Sequence, residues 1–230
     1  MGEIVLKIVF VAGTGTAVGK TYVAQALARA MLRAGIRVGV YKPVASGCIP
    51  VEVPSRSDST LVSSGLLSND ASELWKAAGR PLNLDAVCPQ RFVAELAPDQ
   101  AARREGKAID VDLLFRGALA WQDHCDTLII EGAGGLFSPL AGDLLNVDLF
   151  LKCPAAELVL VAANRLGAIH EVIATSRAAE QAEATVSRLY LSASGPEGDQ
   201  ASHTNAQEIQ KWCPALEVHQ VTWNGTVRLG

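Results

Sequence analysis

The sequence predicts an α/β fold, in which a doubly wound and mainly parallel sheet carries helices on both faces. Apolar runs of strand length alternate with helical patterns along almost all of the 230 residues, and such alternation is typical of βαβ units. Glycine-rich segments follow two of the apolar runs, at the strand ends where parallel sheets bind ligands. The length favours one domain, and an apolar fraction of 49% supplies a sizeable core. We therefore predict a single domain over residues 1–230.

Each element is predicted from its own pattern. Apolar runs predict strands, and apolar residues at helical spacing predict helices. The strands are predicted at residues 4–12, 36–41, 126–130, 157–162, 185–191 and 216–221. The helices are predicted at residues 22–32, 71–78, 99–105, 110–122, 164–184 and 203–212. Two irregular segments, residues 48–68 and 92–98, are predicted to be loops that overhang the carboxyl ends of the strands.

Composition narrows the classes of function. The formal net charge of -4 argues against nucleic acid as the main partner. Five cysteines are scattered without a Cys-x-x-Cys pair, so they are predicted to be reduced thiols in a cytoplasmic protein. The first residues lead directly into a predicted strand without the pattern of a secretory signal. The apolar runs are too short or too interrupted to span a bilayer, so no membrane partner is predicted.

A phosphate-binding loop is predicted at residues 13–21, whose sequence is GTGTAVGKT. It lies between the first predicted strand and the first predicted helix, which is the context that such a loop needs. Glycines let the backbone approach an anion closely, and the helix N-terminus directs N–H groups at it. Lys20 is expected to reach the β- and γ-phosphates, and the Thr21 hydroxyl is expected to bind Mg²⁺. Gly13 lies one residue earlier than the commonest pattern requires, so the loop belongs to a subset of such proteins.

Polar residues follow two other predicted strands. Lys42 and Ser46 come after the second strand, so they lie at the same edge of the sheet as the phosphate loop. Glu131 follows a strongly apolar strand, and an acidic residue there suits a Mg²⁺ site. Asp70 opens a predicted helix, where its side chain could simply cap the helix. Because lysines at strand ends and acidic residues in turns are also common without a function, the pattern alone leaves these roles open.

Several motifs together resemble the ATP-dependent dethiobiotin synthetases of biotin biosynthesis. The match runs in the family's order over roughly residues 5–175. Its most specific parts are the extended phosphate loop, the segment Lys-Pro-Val-Ala-Ser-Gly that begins at Lys42, and the turn Glu-Gly-Ala-Gly-Gly that begins at Glu131. Weaker matches are Asn-Asp-Ala at residues 69–71, Phe92, Ala-Pro at residues 97–98, Glu-Gly at residues 105–106 and Asn-Arg-Leu-Gly at residues 164–167.

The resemblance implies a ligase with the fold of the phosphate-loop NTPases. In this family one amine of 7,8-diaminopelargonate takes up CO₂ as a carbamate. ATP phosphorylates the carbamate to a mixed anhydride, and the second amine closes a cyclic urea as phosphate leaves. The implied partners are therefore 7,8-diaminopelargonate, CO₂ and ATP, with Mg²⁺ as cofactor and a second copy of the chain in a homodimer.

The resemblance also assigns roles to individual residues. Lys42 is the implied catalytic residue, and Thr21, Asp70 and Glu131 are the implied Mg²⁺ ligands. The residues implied to contact the substrate are Thr16, Lys20, Lys42 and Ser46. Those implied to contact the nucleotide and its metal are Ala17, Val18, Gly19, Lys20, Thr21, Tyr22, Asp70, Glu131, Gly132, Ala133 and Gly134. Catalysis of this kind consists of positioning and charge stabilisation, so no side-chain nucleophile is expected.

The chain departs from the family pattern at several places. Ala17 stands where family members often have an acidic residue, and His170 stands where they usually have an asparagine. The Asn-Asp pair that reads adenine is absent near residues 191–194, and the later proline-containing loop is not recognisable near residues 219–221. The choice of nucleotide is therefore expected to be relaxed, or adenine is expected to be held by backbone groups alone.

Three other classes stay open on the sequence alone. A switch ATPase of the MinD or ParA type shares the phosphate loop, but the neighbourhood of Thr14 lacks that class's second lysine. Residues 213–230 also do not form the basic amphipathic helix that such proteins tend to carry. An amidase of the cobyrinate group would need an additional glutaminase domain. A degenerate nucleotide-binding member of the synthetase family is suggested by the altered adenine segments.

Overall fold

The computed structural model describes residues 6–52 and 65–227 of the chain. Twelve strands lie within these ranges. They are β1 (Lys7–Gly13), β2 (Val38–Tyr41), β3 (Val44–Ala45), β4 (Ile49–Pro50), β5 (Leu66–Leu67), β6 (Gln90–Arg91), β7 (Thr127–Gly135), β8 (Pro139–Ala141), β9 (Leu144–Leu145), β10 (Glu157–Asn164), β11 (Val186–Ala193) and β12 (Glu217–Val221).

Eight α-helices lie within the same ranges. They are α1 (Lys20–Arg33), α2 (Asn69–Ala77), α3 (Leu84–Val87), α4 (Pro98–Arg104), α5 (Val111–Leu119), α6 (Asn146–Leu151), α7 (Ala168–Gln181) and α8 (Asn205–Trp212). A short 3₁₀ helix at Gln200–His203 precedes α8.

Six strands form the central sheet, in the order β12-β11-β10-β1-β7-β2. All five neighbouring pairs are parallel, which confirms the predicted fold class. The other strands pair two by two outside this sheet, β3 with β6, β4 with β5 and β8 with β9. Parallel strands need helical crossovers that cover the faces of the sheet, and the helices between the strands supply them.

Alternate residues of one strand contact two different apolar cores. Val159 and Val161 of β10 belong to the larger core, whereas Leu160 and Ala162 belong to a smaller one. Successive side chains of a strand point to opposite faces of its sheet. The sheet is therefore buried on both sides, as expected from strands that are apolar throughout.

The register of the sheet fixes where polar residues emerge. On one side of β7, Tyr41 lies opposite Ile130, so the next residues along the two strands, Lys42 and Glu131, meet at the sheet edge. On its other side, Glu131 lies opposite Val11 of β1, two residues before that strand ends. The phosphate loop, the lysine and the glutamate are thus brought to one place by backbone pairing.

Several predicted boundaries shift in the structure. Strand β7 continues to Gly135 instead of ending at residue 130, because Gly13 of β1 pairs with Gly135. Helix α7 begins at Ala168 instead of residue 164, because Gly167 adopts a left-handed conformation before it. The short pairs β3–β6, β4–β5 and β8–β9 and the helices α3 and α6 were not predicted, and β4 and β5 lie within the predicted loop at residues 48–68. Elements of two to six residues are too short to show a period in the sequence.

Three predicted segments lie partly outside the described residues. They are the start of the first strand, the middle of the loop at residues 48–68 and the end of the tail at residues 222–230. Within the described residues, no helix combines the length and the apolar character needed to cross a bilayer.

The packing between β2 and the segment after α5 depends on a glycine. A Cβ at Gly39 would lie 2.6 Å from Cys125 Sγ and 2.7 Å from Trp121 Cε3, and all three residues are buried. We predict that Gly39→Ala lowers the free energy of unfolding by about 1–3 kcal/mol, the range for an overpacked core. Urea unfolding of the two chains measures the difference. Gly195→Ala is the matched control, since nothing lies within 4 Å of a Cβ there; an equal loss in both variants would contradict the packing argument.

Candidate active site

A cavity of about 410 Å³ opens at the carboxyl ends of β1, β2 and β7. Twelve of the predicted site residues line it. They are Thr16, Ala17, Gly19, Lys20, Thr21, Tyr22, Lys42, Ser46, Asp70, Glu131, Ala133 and Gly134. Residues up to 118 positions apart in the sequence therefore converge on one cavity (134 minus 16). Two predicted residues, Val18 and Gly132, are not among those that line it.

The phosphate loop wraps around the N-terminus of α1. Gly19 has a φ of 96° at the helix N-cap, and Ala17 has a φ of 56°, so the loop uses left-handed backbone at two positions. No side chain caps α1, which leaves the first-turn N–H groups directed at the cavity. A helix N-terminus with free N–H groups is a site for an anion.

Lys20 lies inside this loop and is only 8% exposed. Its Nζ donates a hydrogen bond to the Gly15 carbonyl oxygen at 2.9 Å. Burial of the ammonium lowers the pKa of Lys20 to about 8, although the nearby Glu131 carboxylate opposes this shift. An anion bound in the loop would favour the charged form of the lysine.

The centre of the cavity is a carboxylate that two donors share. Glu131 Oε1 accepts a hydrogen bond from Lys42 Nζ at 2.6 Å and another from Thr21 Oγ1 at 2.8 Å. Glu131 is 0% exposed and Lys42 is 5% exposed. Burial by itself would lower the pKa of Lys42, but the carboxylates of Glu131 and Asp70 raise it above its ordinary value. Lys42 is therefore a buried cation whose charge depends on the acidic residues around it.

Asp70 extends this cluster toward solvent. Its Oδ2 lies 3.5 Å from Lys42 Nζ, and its side chain is 56% exposed. The alternative interpretation of Asp70 as the cap of α2 is wrong, because the Ser68 side chain accepts the hydrogen bond from the Ala71 N–H. The Asp70 carboxylate is thus left free to face the cavity.

The donor atoms of this cluster fit a hard divalent cation. Glu131 Oε2 is buried and has no hydrogen-bond partner, although a buried carboxylate oxygen normally has one. Within the described residues there is no group of three or more His, Cys, Asp or Glu side chains that could hold a metal. Two carboxylates and one hydroxyl match Mg²⁺, which takes few protein ligands and completes its shell with water and phosphate oxygens.

The turn after Glu131 is held by an asparagine that the sequence analysis missed. Asn146 Nδ2 donates to the carbonyl oxygens of Ala133 and Gly135, both at 2.8 Å, and Asn146 Oδ1 accepts from the Ala133 N–H at 3.0 Å. A Cβ at Gly132 would lie 2.6 Å from Asn146 Oδ1, so this glycine packs against the asparagine instead of lining the cavity. Because Asn146 lies outside the glycine-rich motif, no local pattern pointed to it.

A second cavity, of about 330 Å³, adjoins the phosphate loop. The residues that line it are Ala17, Val18, Gly19, Tyr22, Ala163, Ser192, Ala193, Ser194, Trp223 and Asn224. Val18 thus lies here and not in the first cavity. Ala17, Gly19 and Tyr22 line both cavities, so the two adjoin at the N-terminus of α1.

The chain is similar to known proteins over most of its length. A family model described as an AAA domain matches residues 7–221. The ATP-dependent dethiobiotin synthetase BioD of Rhodopirellula baltica is 47% identical over 213 residues, which cover 89% of this chain and 79% of that protein. The chain belongs to the dethiobiotin synthetase family. Proteins of the same name from Anaeromyxobacter dehalogenans (strain 2CP-1) and Salmonella typhi are 37% and 35% identical, over 88% and 75% of this chain and 83% and 71% of theirs.

The family membership confirms the prediction of an enzyme that is a dethiobiotin synthetase, and the switch-ATPase and degenerate alternatives have less support.

Two solved structures share the fold, the signal recognition particle receptor FtsY of Elizabethkingia anophelis and the cell division protein FtsY of Thermotoga maritima. Each has a TM-score of 0.51, at 15% and 13% identity, over 95% of this chain. This chain spans 59% and 62% of their lengths, and the likeness shows the fold alone.

The contacts of Lys42 generate a prediction for the synthetase without nucleotide. Lys42 Nζ neutralises the negative charge of Glu131 and Asp70. The same two carboxylates are suited to bind a divalent cation, so lysine and metal compete for them. We predict that Lys42→Met binds Mn²⁺ roughly tenfold more tightly than the unaltered chain, equivalent to about 1.4 kcal/mol. Titration followed by electron paramagnetic resonance measures free Mn²⁺ directly.

Lys20→Met is the control for this experiment. Lys20 lines the same cavity, but its Nζ donates to a carbonyl oxygen and not to a carboxylate. It should therefore change the affinity for Mn²⁺ much less. Mn²⁺ binding by Lys42→Met that is equal to or weaker than that of the unaltered chain would show that the Lys42 ammonium does not compete with the metal for these carboxylates.

Proposed function

We propose that this chain closes the cyclic urea of dethiobiotin from 7,8-diaminopelargonate, CO₂ and Mg-ATP. The observation that carries the proposal is the convergence of Lys20, Thr21, Lys42, Asp70 and Glu131 on one cavity. A phosphate loop alone would suit any nucleotide hydrolase. The buried Lys42 beside it adds a positive charge for a second anion, as a reaction between a carbamate and a triphosphate requires.

The proposed reaction has three steps. One amine nitrogen attacks the carbon of CO₂ and loses a proton, which gives a carbamate. A carbamate oxygen then attacks the γ-phosphorus, the bond to the β-phosphate oxygen breaks, and ADP leaves. The second amine finally attacks the carbonyl carbon of the mixed anhydride. The C–O bond to phosphate breaks, inorganic phosphate leaves with that electron pair, and loss of a proton from nitrogen completes the ring.

Two lysines bring the reacting anions together. Lys20 lies in the loop that would hold the phosphates, and Lys42 lies at the end of the neighbouring strand β2. Because carbamate and γ-phosphate repel each other, fixed cations on both stabilise the charge that spreads over the transferred group. Thr16 and Ser46 also line the cavity, where their hydroxyls would bind the carbamate or the substrate amine and so fix its orientation.

Thr21, Asp70 and Glu131 would hold Mg²⁺. The ion, when bound, neutralises charge on the β- and γ-phosphate oxygens. The chain's own part is to change the partner of Lys42. Glu131 Oε1 accepts hydrogen bonds from both Lys42 and Thr21. The ammonium of Lys42 can therefore turn from this carboxylate toward the carbamate while the Thr21 hydroxyl keeps its hydrogen bond to Glu131.

The chain is further proposed to act as a homodimer in the cytoplasm. The family resemblance supports the dimer, since residues 164–167 match the family in a region that, in relatives, reaches the substrate of the neighbouring subunit. Leu166 in that region is 78% exposed, unusually for a leucine. All five cysteines are free thiols, which is typical of a reducing compartment.

The proposal predicts which components are needed for phosphate release. With 7,8-diaminopelargonate, bicarbonate and Mg-ATP together, the chain should release phosphate and form dethiobiotin in equal amounts. Omission of either the diamine or bicarbonate should reduce phosphate release to background, because the acceptor carbamate cannot form. Phosphate release that ignores both omissions would mark a simple ATPase instead.

A second prediction separates the two lysines. Lys42→Met should lower dethiobiotin formation by about 10³-fold, the scale for loss of a charge that stabilises a transition state. It should not weaken the binding of Mg-ATP by more than about threefold, because the loop contacts remain. Lys20→Met should lose nucleotide binding itself. Isothermal calorimetry and product assays measure both quantities, and near-normal turnover by Lys42→Met would contradict its proposed role.

A further inference from the structure

The second cavity, about 330 Å³ in volume, adjoins the catalytic groups but contains none of them. We propose that Trp223 holds the base of the nucleotide by stacking, and that this cavity accepts purine and pyrimidine nucleoside triphosphates alike. The inference rests on the proposed function, because it concerns the nucleotide whose phosphates occupy the neighbouring loop.

The position of the cavity makes it the place for the base. Ala17, Gly19 and Tyr22 line both this cavity and the one with the catalytic lysines. A nucleotide whose terminal phosphate lies beside Lys42 can therefore extend past the loop into the second cavity. Its volume of about 330 Å³ falls in the lower range of pockets for small molecules, which suits a single base and sugar.

The outer wall of the cavity is a segment that follows β12 and is fixed by two contacts. The Tyr22 hydroxyl donates a hydrogen bond to the Gly225 carbonyl oxygen at 2.7 Å, which ties the segment to α1. Val227 is only 6% exposed and belongs to the larger core. Between these anchors and the sheet lies Trp223, which lines the cavity and is 52% exposed. A large aromatic residue on a fixed segment at a cavity is suited to stack on a flat ligand.

Stacking on an aromatic ring does not distinguish one base from another, because every base has a π face. Discrimination would have to come from groups that meet the edges of the base. The lining offers the hydroxyls of Ser192 and Ser194 and the amide of Asn224. Hydroxyls and amides can both donate and accept hydrogen bonds, so they can satisfy the opposite edge patterns of adenine and guanine.

The described residues that line this cavity include no charged side chain. A carboxylate only accepts hydrogen bonds and a cation only donates them, so either would favour bases with one edge pattern. Since neither is present on the described wall, none of the side chains that line it would reject guanine, cytosine or uracil strongly. The uncharged lining thus gives a physical reason for the expected relaxed choice of nucleotide, and Trp223 is the residue that would bind the base.

The test compares nucleotides and variants by calorimetry on the full chain with Mg²⁺ and without the diamine. Dissociation constants are measured for ATP, GTP, CTP, UTP and inorganic tripolyphosphate. In the unaltered chain the four nucleotides should agree within about tenfold, as expected where stacking supplies the affinity. Trp223→Ala should weaken all four by roughly 5- to 150-fold, the range for loss of one base–aromatic stack. Tripolyphosphate, which has no base, should bind both chains equally.

Two controls address the fold and the aromatic ring. Trp212 is also exposed, at 62%, but is not among the residues that line the base cavity, so Trp212→Ala should leave all five dissociation constants unchanged. Trp223→Phe keeps a ring and should retain most of the affinity.

The outcomes that overturn the inference differ from those that overturn the proposed function. A preference for ATP of more than about a hundredfold, or nucleotide binding that Trp223→Ala leaves intact, would refute the stacking site while leaving the synthetase function standing. Failure of every nucleotide and of tripolyphosphate to bind the unaltered chain would refute both.

Discussion

One buried carboxylate oxygen links the groups on which the active site depends. Glu131 Oε1 accepts hydrogen bonds from Lys42 and from Thr21, and Glu131 Oε2 has no partner among the described residues. A buried carboxylate without a counter-charge is costly, and Lys42 provides that charge. The same oxygen is a natural metal ligand, so the arrangement implies that metal and lysine exchange places around it. Thr21, Asp70 and Glu131 would hold Mg²⁺, which would supply positive charge to the phosphates of the nucleotide.

The sheet makes this exchange possible because it sets the distances. Tyr41 of β2 and Ile130 of β7 lie opposite one another. Lys42 follows the first and Glu131 follows the second, so the pairing of the two strands fixes the positions from which both side chains extend. Thr21 belongs to the first turn of α1, whose N-terminus faces the cavity. Groups on such elements keep their geometry better than groups on loops. Asp70 is the more exposed member, at 56%, and it can adjust as a ligand enters.

Much of this arrangement could be predicted from the sequence, because its elements are long or strongly patterned. The phosphate loop and the apolar strands before Lys42 and Glu131 indicated both the parallel sheet and the edge at which polar residues meet. Asn146 and Trp223 could not be found in this way, since each acts through a contact that only folding creates. The role of Asp70 could not be predicted for a similar reason. Whether Asp70 caps its helix depends on the neighbouring Ser68 side chain, which caps the helix instead.

The central claim is that the Lys42 ammonium turns from Glu131 to the reacting anions when they bind. A crystal structure of the chain with Mg²⁺ and a non-hydrolysable ATP analogue measures this most directly. The account predicts that the distance from Lys42 Nζ to Glu131 Oε1, 2.6 Å in the present structure, increases beyond the limit of a salt bridge in that complex. A complex in which this distance stays at its present value, with Mg²⁺ held elsewhere, would contradict the account.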